Sequence, residues 1–146
     1  VSGWGWMVWD GTRWQRDGDG ATMRMAKATA LGILDEAKDA MRRAEQVIRK
    51  HLSNPALSPE FVADACGISK RYLHELFGDT NQTVSQFIRD ERLIAARDLI
   101  GLSPTLSMAE IAYRFGFCDQ AQFSRLFKAK FDRPPTEWRK HGSVAA

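Results

Sequence analysis

The chain has 146 residues, of which 44% are hydrophobic and 27% are charged. This composition is typical of a soluble globular protein and excludes a chain that is disordered throughout. The formal net charge of +3 and the pI of about 9.1 make the chain mildly basic, which permits a nucleic-acid partner without requiring one.

Metal, membrane and compartment signals are weak in this sequence. Cys66 and Cys118 are its only cysteines, and no His lies at metal-ligand spacing from either. We therefore expect no metal site and no cofactor, and we interpret both cysteines as small residues near packed turns. No apolar run approaches the roughly 18 residues of a membrane span, and no leader opens the chain. These features predict a cytoplasmic protein with no membrane partner.

Residues 1–20 contain four of the five tryptophans. Aromatic residues on both sides of Asp10-Gly11 predict a short β-hairpin with strands at 6–9 and 12–15. An isolated hairpin is marginal in water, so the segment either packs on something or is disordered. Its tryptophans are interpreted as a small hydrophobic core or an interface patch, with binding of sugars or bases as the alternative.

The opening segment also resembles, over roughly its first 35 residues, the W-x-V-W-D-G-x-R-W-x-x-D segment of phage and plasmid primase-helicases. A basic, Ala-rich helix follows that segment in those enzymes. The phosphate-binding loop G-x-x-x-x-G-K-[ST], which their helicase part requires, is absent downstream. The residues that carry the resemblance are Trp6, Val8, Trp9, Asp10, Gly11, Arg13, Trp14 and Asp17.

Residues 21–52 predict one long helix, because they contain no Pro, one Gly and abundant Ala, Leu, Arg, Lys and Glu. A heptad seam runs along it, with apolar residues at alternating spacings of three and four. The seam favours a coiled-coil homodimer. Because most of its positions are Ala, docking against the chain's own domain is an equal alternative. The seam consists of Met23, Ala26, Ala30, Ile33, Ala37, Ala40, Ala44 and Val47.

Two later blocks, 57–78 and 106–131, carry the same pattern at an offset of about 49 residues. In each block the second residue is a serine that caps a helix, and each block contains a turn glycine, Gly67 in the first and Gly116 in the second. The agreement of caps, apolar positions and glycines indicates an internal duplication. In each block a helix, a turn and a second helix with one apolar and one polar face predict a helix-turn-helix unit.

An amphipathic helix over 83–101 joins the two blocks. The predicted fold class is therefore all-α: two helix-turn-helix units around a long central helix, like a pair of homeodomains, preceded by a long helix and the Trp-rich hairpin. The predicted organisation is a hairpin or disordered segment at 1–20, a long helix at 21–52, the tandem domain at 53–141 and a tail at 142–146.

The polar faces of the second helices carry side chains suited to DNA. Arg71 and Arg125 can each donate two hydrogen bonds to guanine, and Gln120 can pair with adenine. Ser124 and His74 are adaptable donors or acceptors. Phosphate contacts are expected from a further set of basic and hydroxyl side chains, which fix register and make affinity depend on salt. That set is Ser69, Lys70, Lys128, Lys130 and Arg139.

The region from about Ala44 to His141 resembles the DNA-binding domain of the AraC/XylS family of bacterial transcription regulators. The motifs that carry the resemblance are SKRYLHELF, the R-L-x-x-A-R-x-L of the linker helix, and AEIAYRFGFCDQAQFSRLFKAKFDRPPTEWR. The resemblance implies seven helices, two helix-turn-helix units around one long helix, and promoter binding that recruits RNA polymerase. The family's larger sensor domain has no counterpart in the first fifty or so residues.

By position, the family's base-contacting places fall on Arg71, His74 and Glu75 in the first unit and on Gln120, Ala121, Ser124 and Arg125 in the second. Glu75 stands where a basic residue is common, so it either contacts cytosine N4 or weakens the first unit through phosphate repulsion. Ala121 can only touch a thymine methyl. Asn81 stands where a turn Gly is usual, and Asn tolerates that left-handed backbone.

These observations favour a sequence-specific DNA-binding regulator, an activator without enzymatic activity, that contacts two successive major grooves. Its expected partners are double-stranded promoter DNA, RNA polymerase and a second copy of the chain bound through 21–52. The alternatives are a fragment of a phage-type nucleic-acid-processing enzyme and a protein-interaction module.

Overall fold

The computed structural model of the protein describes residues 5, 7–18 and 20–142. Trp4, Trp6 and nearly all of the predicted tail lie outside these residues. Contacts divide the chain into two compact units, Val1–Ala40 and Met41–Ala146. The long helix α1, Ala21–Lys50, begins in the first unit and ends in the second.

The compact unit Val1–Ala40 contains a two-stranded antiparallel sheet. Its strands are β1 Met7–Trp9 and β2 Trp14–Arg16, and Trp9 pairs with Trp14. The second strand starts two residues later than the predicted one. The carboxylate of Asp10 is the physical reason, because it accepts hydrogen bonds from the backbone N–H groups of Thr12 and Arg13, each at 2.9 Å. Those bonds hold residues 10–13 in a loop, and they lower the pKa of Asp10 well below its ordinary value.

The compact unit Met41–Ala146 contains the end of α1 and six shorter helices. Their N-terminal caps follow the sequence closely: Ser58, Ser69, Thr83, Ser107 and Asp119 each accept a backbone N–H bond through a side-chain oxygen. The helices are α2 Pro59–Cys66, α3 Lys70–Gly78, α4 Val84–Leu102, α5 Met108–Arg114, α6 Gln120–Phe131 and α7 Pro135–Gly142.

Helix α4 takes part in two hydrophobic cores. Near its start, Val84 and Ile88 are buried in a core with α2, α3 and the last turns of α1. Further along, Leu93 and Ile100 are buried in a second core with α5 and α6. Each core closes one helix-turn-helix unit, so one continuous helix carries both units.

The end of α1 packs against the chain's own domain, so the predicted dimer seam does not extend to residue 52. Ala44 and Ile48 are fully buried in the first core, and Val47 packs against it. These side chains dock on the chain's own domain, which was the alternative to a coiled coil. Ala40, the preceding seam residue, is buried as well. The seam residues from Ala40 onward are therefore unavailable to a partner.

The all-α fold class is confirmed: the described residues form seven helices and one small hairpin. Asn81 has a φ of 56°, so it adopts the left-handed backbone expected at a turn position usually held by Gly.

Candidate nucleic-acid interface

In the first helix-turn-helix unit, the turn between α2 and α3 forms at Gly67, whose φ is 66°. Leu73 and Phe77 on α3 are buried, which fixes the rotation of this helix about its axis. The opposite face is left to solvent. It presents the predicted residues Ser69, Lys70, Arg71, His74 and Glu75, all of which are exposed.

Two ion pairs lie on this face. The Nε atom of Arg71 donates to Oε1 of Glu75 at 3.0 Å, one helical turn away. Lys70 pairs with Glu60 of α2, and this contact lowers the pKa of Glu60 to about 2. Arg71, a predicted base-contacting residue, is therefore already paired with a carboxylate of its own helix.

In the second unit, Gly116 forms the turn with a φ of 74°, and Asp119 caps α6 by accepting the N–H of Gln122 at 2.6 Å. Phe123 and Phe127 are fully buried, so the other side of α6 faces outward. There Gln120, Ala121 and Arg125 are exposed and Ser124 is half-buried. The described structure gives Arg125 no ion pair on this face.

The three basic residues predicted to contact phosphates near the second unit occupy different environments. Lys128 is exposed. Lys130 pairs through Nζ with Asp90 of α4 at 3.0 Å. Arg139 is half-buried and donates from Nη2 to the carbonyl of Leu106 at 2.6 Å. Lys130 and Arg139 thus already hold elements of the domain together, and Lys128 is the more available cation.

Arg92 on α4 connects the segment that follows α1 with the turn of the second helix-turn-helix unit. It donates to the carbonyls of Leu52 at 3.1 Å and Asn54 at 3.0 Å, in the segment that follows α1. Its guanidinium also lies against the turn of the second unit, where a Cβ on Gly116 would come within 2.9 Å of Nη1. Burial lowers the pKa of Arg92, although an arginine stays charged at every relevant pH.

A cleft of about 320 Å³ lies between the two helix-turn-helix units. Its wall includes Ser58 at the start of α2, Arg89 and Arg92 on α4, and Gln122 on α6. Arg89 is exposed and did not figure among the sequence-based site residues. Its position halfway between two helix-turn-helix units, which only the folded arrangement of α4 reveals, makes it a candidate phosphate contact.

Metal and membrane features are absent from the described part of the chain. No group of three His, Cys, Asp or Glu side chains there is placed to hold a metal ion. None of the helices described is both long enough and apolar enough to cross a bilayer.

Two helix-turn-helix units on a shared helix, each with an outward polar face, define a class of DNA-binding protein. Comparison with known proteins agrees. The family model described as "Helix-turn-helix domain" matches residues 62–141. A second model, described as "D5 N terminal like", matches residues 1–65.

The proteins most informative about the class are transcription regulators with similar sequences. The chain is 34% identical over 113 residues to the transcriptional activator NphR of a Rhodococcus species, covering 77% of this chain and 33% of NphR. It is 37% identical over 94 residues to the regulatory protein SoxS of Salmonella typhimurium, covering 63% of this chain and 85% of SoxS.

A solved AraC-type regulator from Chromobacterium violaceum superposes with a TM-score of 0.69 at 25% identity, covering 74% of this chain and 96% of that one. The chain belongs to the AraC/XylS family of DNA-binding transcription regulators. The proteins of this family are transcription regulators, not enzymes. The resemblance of roughly the first 35 residues to a primase-helicase segment is supported by the match of the second model to residues 1–65.

Proposed function

We propose that this chain activates transcription by placing α3 and α6 in two successive major grooves of promoter DNA. The observation that carries the proposal is the pair of exposed polar faces, Arg71, His74 and Glu75 on one helix and Gln120, Ser124 and Arg125 on the other. Both helices are anchored through buried residues to cores that share α4. Successive major grooves on one side of B-DNA are about 34 Å apart, a separation that a rigid pair of units can match.

The two helices are expected to contribute unequally. On α6, Arg125 has no carboxylate partner among the described ion pairs, and Gln120 and Ser124 flank it on the outward face. On α3, Arg71 forms an ion pair with Glu75. To contact guanine, Arg71 must either keep the carboxylate of Glu75 beside its guanidinium or break this ion pair. A carboxylate near phosphates also costs affinity. We therefore assign the firmer base recognition to α6.

Phosphate contacts are proposed to orient the domain on the duplex. Lys128 and Arg89 are exposed cations, and Ser69 is an exposed cap residue at the start of α3. The interactions of Lys130 with Asp90 and of Arg139 with the carbonyl of Leu106 lower the share that we expect from these two residues. The resulting interaction is sequence-independent and sensitive to salt.

The remaining partners follow from activation at a promoter. We propose that the DNA-bound domain recruits RNA polymerase and acts in the bacterial cytoplasm, where promoter DNA is located. Support comes from the family to which the chain belongs and from the name of the activator NphR.

Selection of bound sequences from random duplexes, followed by titration of the best duplex with salt, tests the proposal. We expect a steep loss of affinity as salt rises, and a selected site whose information is concentrated under α6. Arg125→Ala should cost about 1 to 3 kcal/mol and relax preference at one base pair, whereas Lys128→Ala should weaken all sequences alike.

The matched control is Lys38→Ala, which removes an exposed cation from α1 and should leave binding unchanged. Binding that does not respond to salt, or an Arg125→Ala variant with unchanged affinity and preference, would refute the assignment of the groove-facing side.

A further inference from the structure

An apolar stripe on the first half of α1 has no cover within the described structure. The seam residues Met23 and Ile33 are 60% and 61% exposed. Ala26 and Ala30, which lie between them on the same helical face, are exposed as well. Apolar side chains repeated on one face of a helix indicate a surface that packs against something.

The spacing of this stripe is symmetric along the chain. Its residues between positions 26 and 37 follow intervals of four, three and four, which read the same in both directions. Reversing the helix about the point midway between Leu31 and Gly32 exchanges Ala26 with Ala37 and Ala30 with Ile33. A second copy running in the opposite direction therefore meets seam residue with seam residue, as an isologous two-fold contact requires.

The charge distribution of this segment favours pairing with a second copy that runs in the opposite direction. Residues 21–31 contain Arg24 and Lys27 and no acidic residue, a net charge of +2. Residues 32–40 contain three acidic residues, Asp35, Glu36 and Asp39, and one lysine, a net charge of −2. Antiparallel pairing brings the basic end of each helix beside the acidic end of the other, whereas parallel pairing brings like charges together.

We propose that residues 21–39 bind the same residues of a second copy of this chain as an antiparallel helix pair. The small Ala side chains at positions 26, 30 and 37 let the two helices approach closely, with Ile33 of each copy packing beside Ala30 of the other. This arrangement does not depend on DNA binding. It replaces the predicted coiled coil over 21–52, because Ala40, Ala44 and Ile48 are already buried within the chain's own fold.

The interface is small, since a helix of about 20 residues extends about 30 Å and most seam positions are Ala. Interfaces at the low end of the size range form transient complexes. The dimer is thus expected to form reversibly at micromolar concentrations, and a promoter carrying two sites would hold both copies through their effective concentration.

Sedimentation equilibrium of the full chain over a range of concentrations tests the association. We expect a monomer–dimer equilibrium, and a dissociation constant raised roughly tenfold or more by Ala30→Glu or Ile33→Glu, since each buries a charge in the contact. Met25→Glu and Leu31→Glu are matched controls, because these residues are 67% and 54% exposed and lie off the seam. They should change the constant less than threefold or so.

Disulfide trapping tests the orientation. In a Cys66→Ala, Cys118→Ser background, an Ala26→Cys chain is mixed with an Ala37→Cys chain of different mass and oxidised. Antiparallel pairing predicts that disulfides between position 26 and position 37 dominate. Dominant disulfides between like positions, a monomer at all concentrations, or equal weakening by the seam and control variants would overturn the proposal. Promoter binding by the monomeric variants is measured separately and does not bear on it.

Discussion

Replacing Gly116 with alanine perturbs two features of the second helix-turn-helix turn at once. The φ of 74° at this position costs an L-residue about 1 to 2 kcal/mol, less the roughly 0.4 to 1 kcal/mol gained by stiffening the unfolded chain. The new Cβ would also lie 2.9 Å from Nη1 and 3.1 Å from Cζ of Arg92. The guanidinium must shift, and its hydrogen bonds to the carbonyls of Leu52 and Asn54 weaken.

The expected loss of stability is about 2 to 3 kcal/mol. Backbone strain contributes about 1 kcal/mol after the unfolded-state gain. A lost hydrogen bond from a charged donor costs about 1.5 to 3 kcal/mol when the groups are buried. Arg92 is only half-buried, and its two hydrogen bonds are weakened rather than lost. We therefore assign about 1 to 2 kcal/mol of the lost stability to these two bonds. For a domain of this size the midpoint of thermal unfolding should fall by about 10 °C.

Urea unfolding followed by circular dichroism measures the effect, and the chain supplies its own control. Gly67 is the turn glycine of the first unit, with a φ of 66° but no atom within 4 Å of its added Cβ. Gly67→Ala should therefore show the strain alone, about 1 kcal/mol. In an Arg92→Ala background, Gly116→Ala should cost no more than that. If Gly116→Ala and Gly67→Ala are equally destabilising in the natural background, the contact with Arg92 is energetically silent and the reasoning fails.

Further predictions concern substitutions at residues proposed to lie near DNA and at the N-terminal cap of α5. Lys128→Ala should lower the slope of log affinity against log salt by about one, and Lys130→Ala should lower it less while costing up to about 1 kcal/mol of stability, measured by urea unfolding. Glu75→Gln should strengthen binding to random duplexes at low salt; unchanged binding would place its carboxylate away from phosphates. Ser107→Ala should cost about 1 kcal/mol of unfolding free energy, because its hydroxyl caps α5. The backbone N–H of Ser107 lowers the pKa of Glu110, so the stabilisation from Glu110 is complete above its unfolded pKa, about 4.3, and is lost as pH falls through the lower folded value. The midpoint of thermal unfolding should therefore depend less on pH below about 4 in Glu110→Gln than in the natural chain.

The helix-turn-helix units were predictable because local chemistry specifies them. Ser58 and Ser107 cap helices by bonds to residues three positions away, and the turns require glycines at positive φ. Such features act over a few residues, and their repetition in the chain removes most of the ambiguity.

Contacts between distant residues were not predictable. Nothing near Lys130 in the sequence indicates Asp90 as its partner, and the carbonyl that Arg139 binds lies 33 residues away. Both side chains were therefore assigned to phosphates on charge alone. The periodicity of α1 was likewise correct but ambiguous, because a seam of Ala has the same spacing whether it meets a second copy or, as at Ala44, its own domain.

The placement of α4 in both hydrophobic cores has a consequence for how the protein folds. Val84 and Ile88 complete one core, while Leu93 and Ile100 complete the other, so neither half retains a closed core once α4 is cut or melted. Residues 41–142 should consequently unfold in a single cooperative transition. In amide hydrogen exchange, protected amides of α3 and α6 should open with the same free energy. A regulator built in this way presents both of the helices proposed to contact DNA or neither.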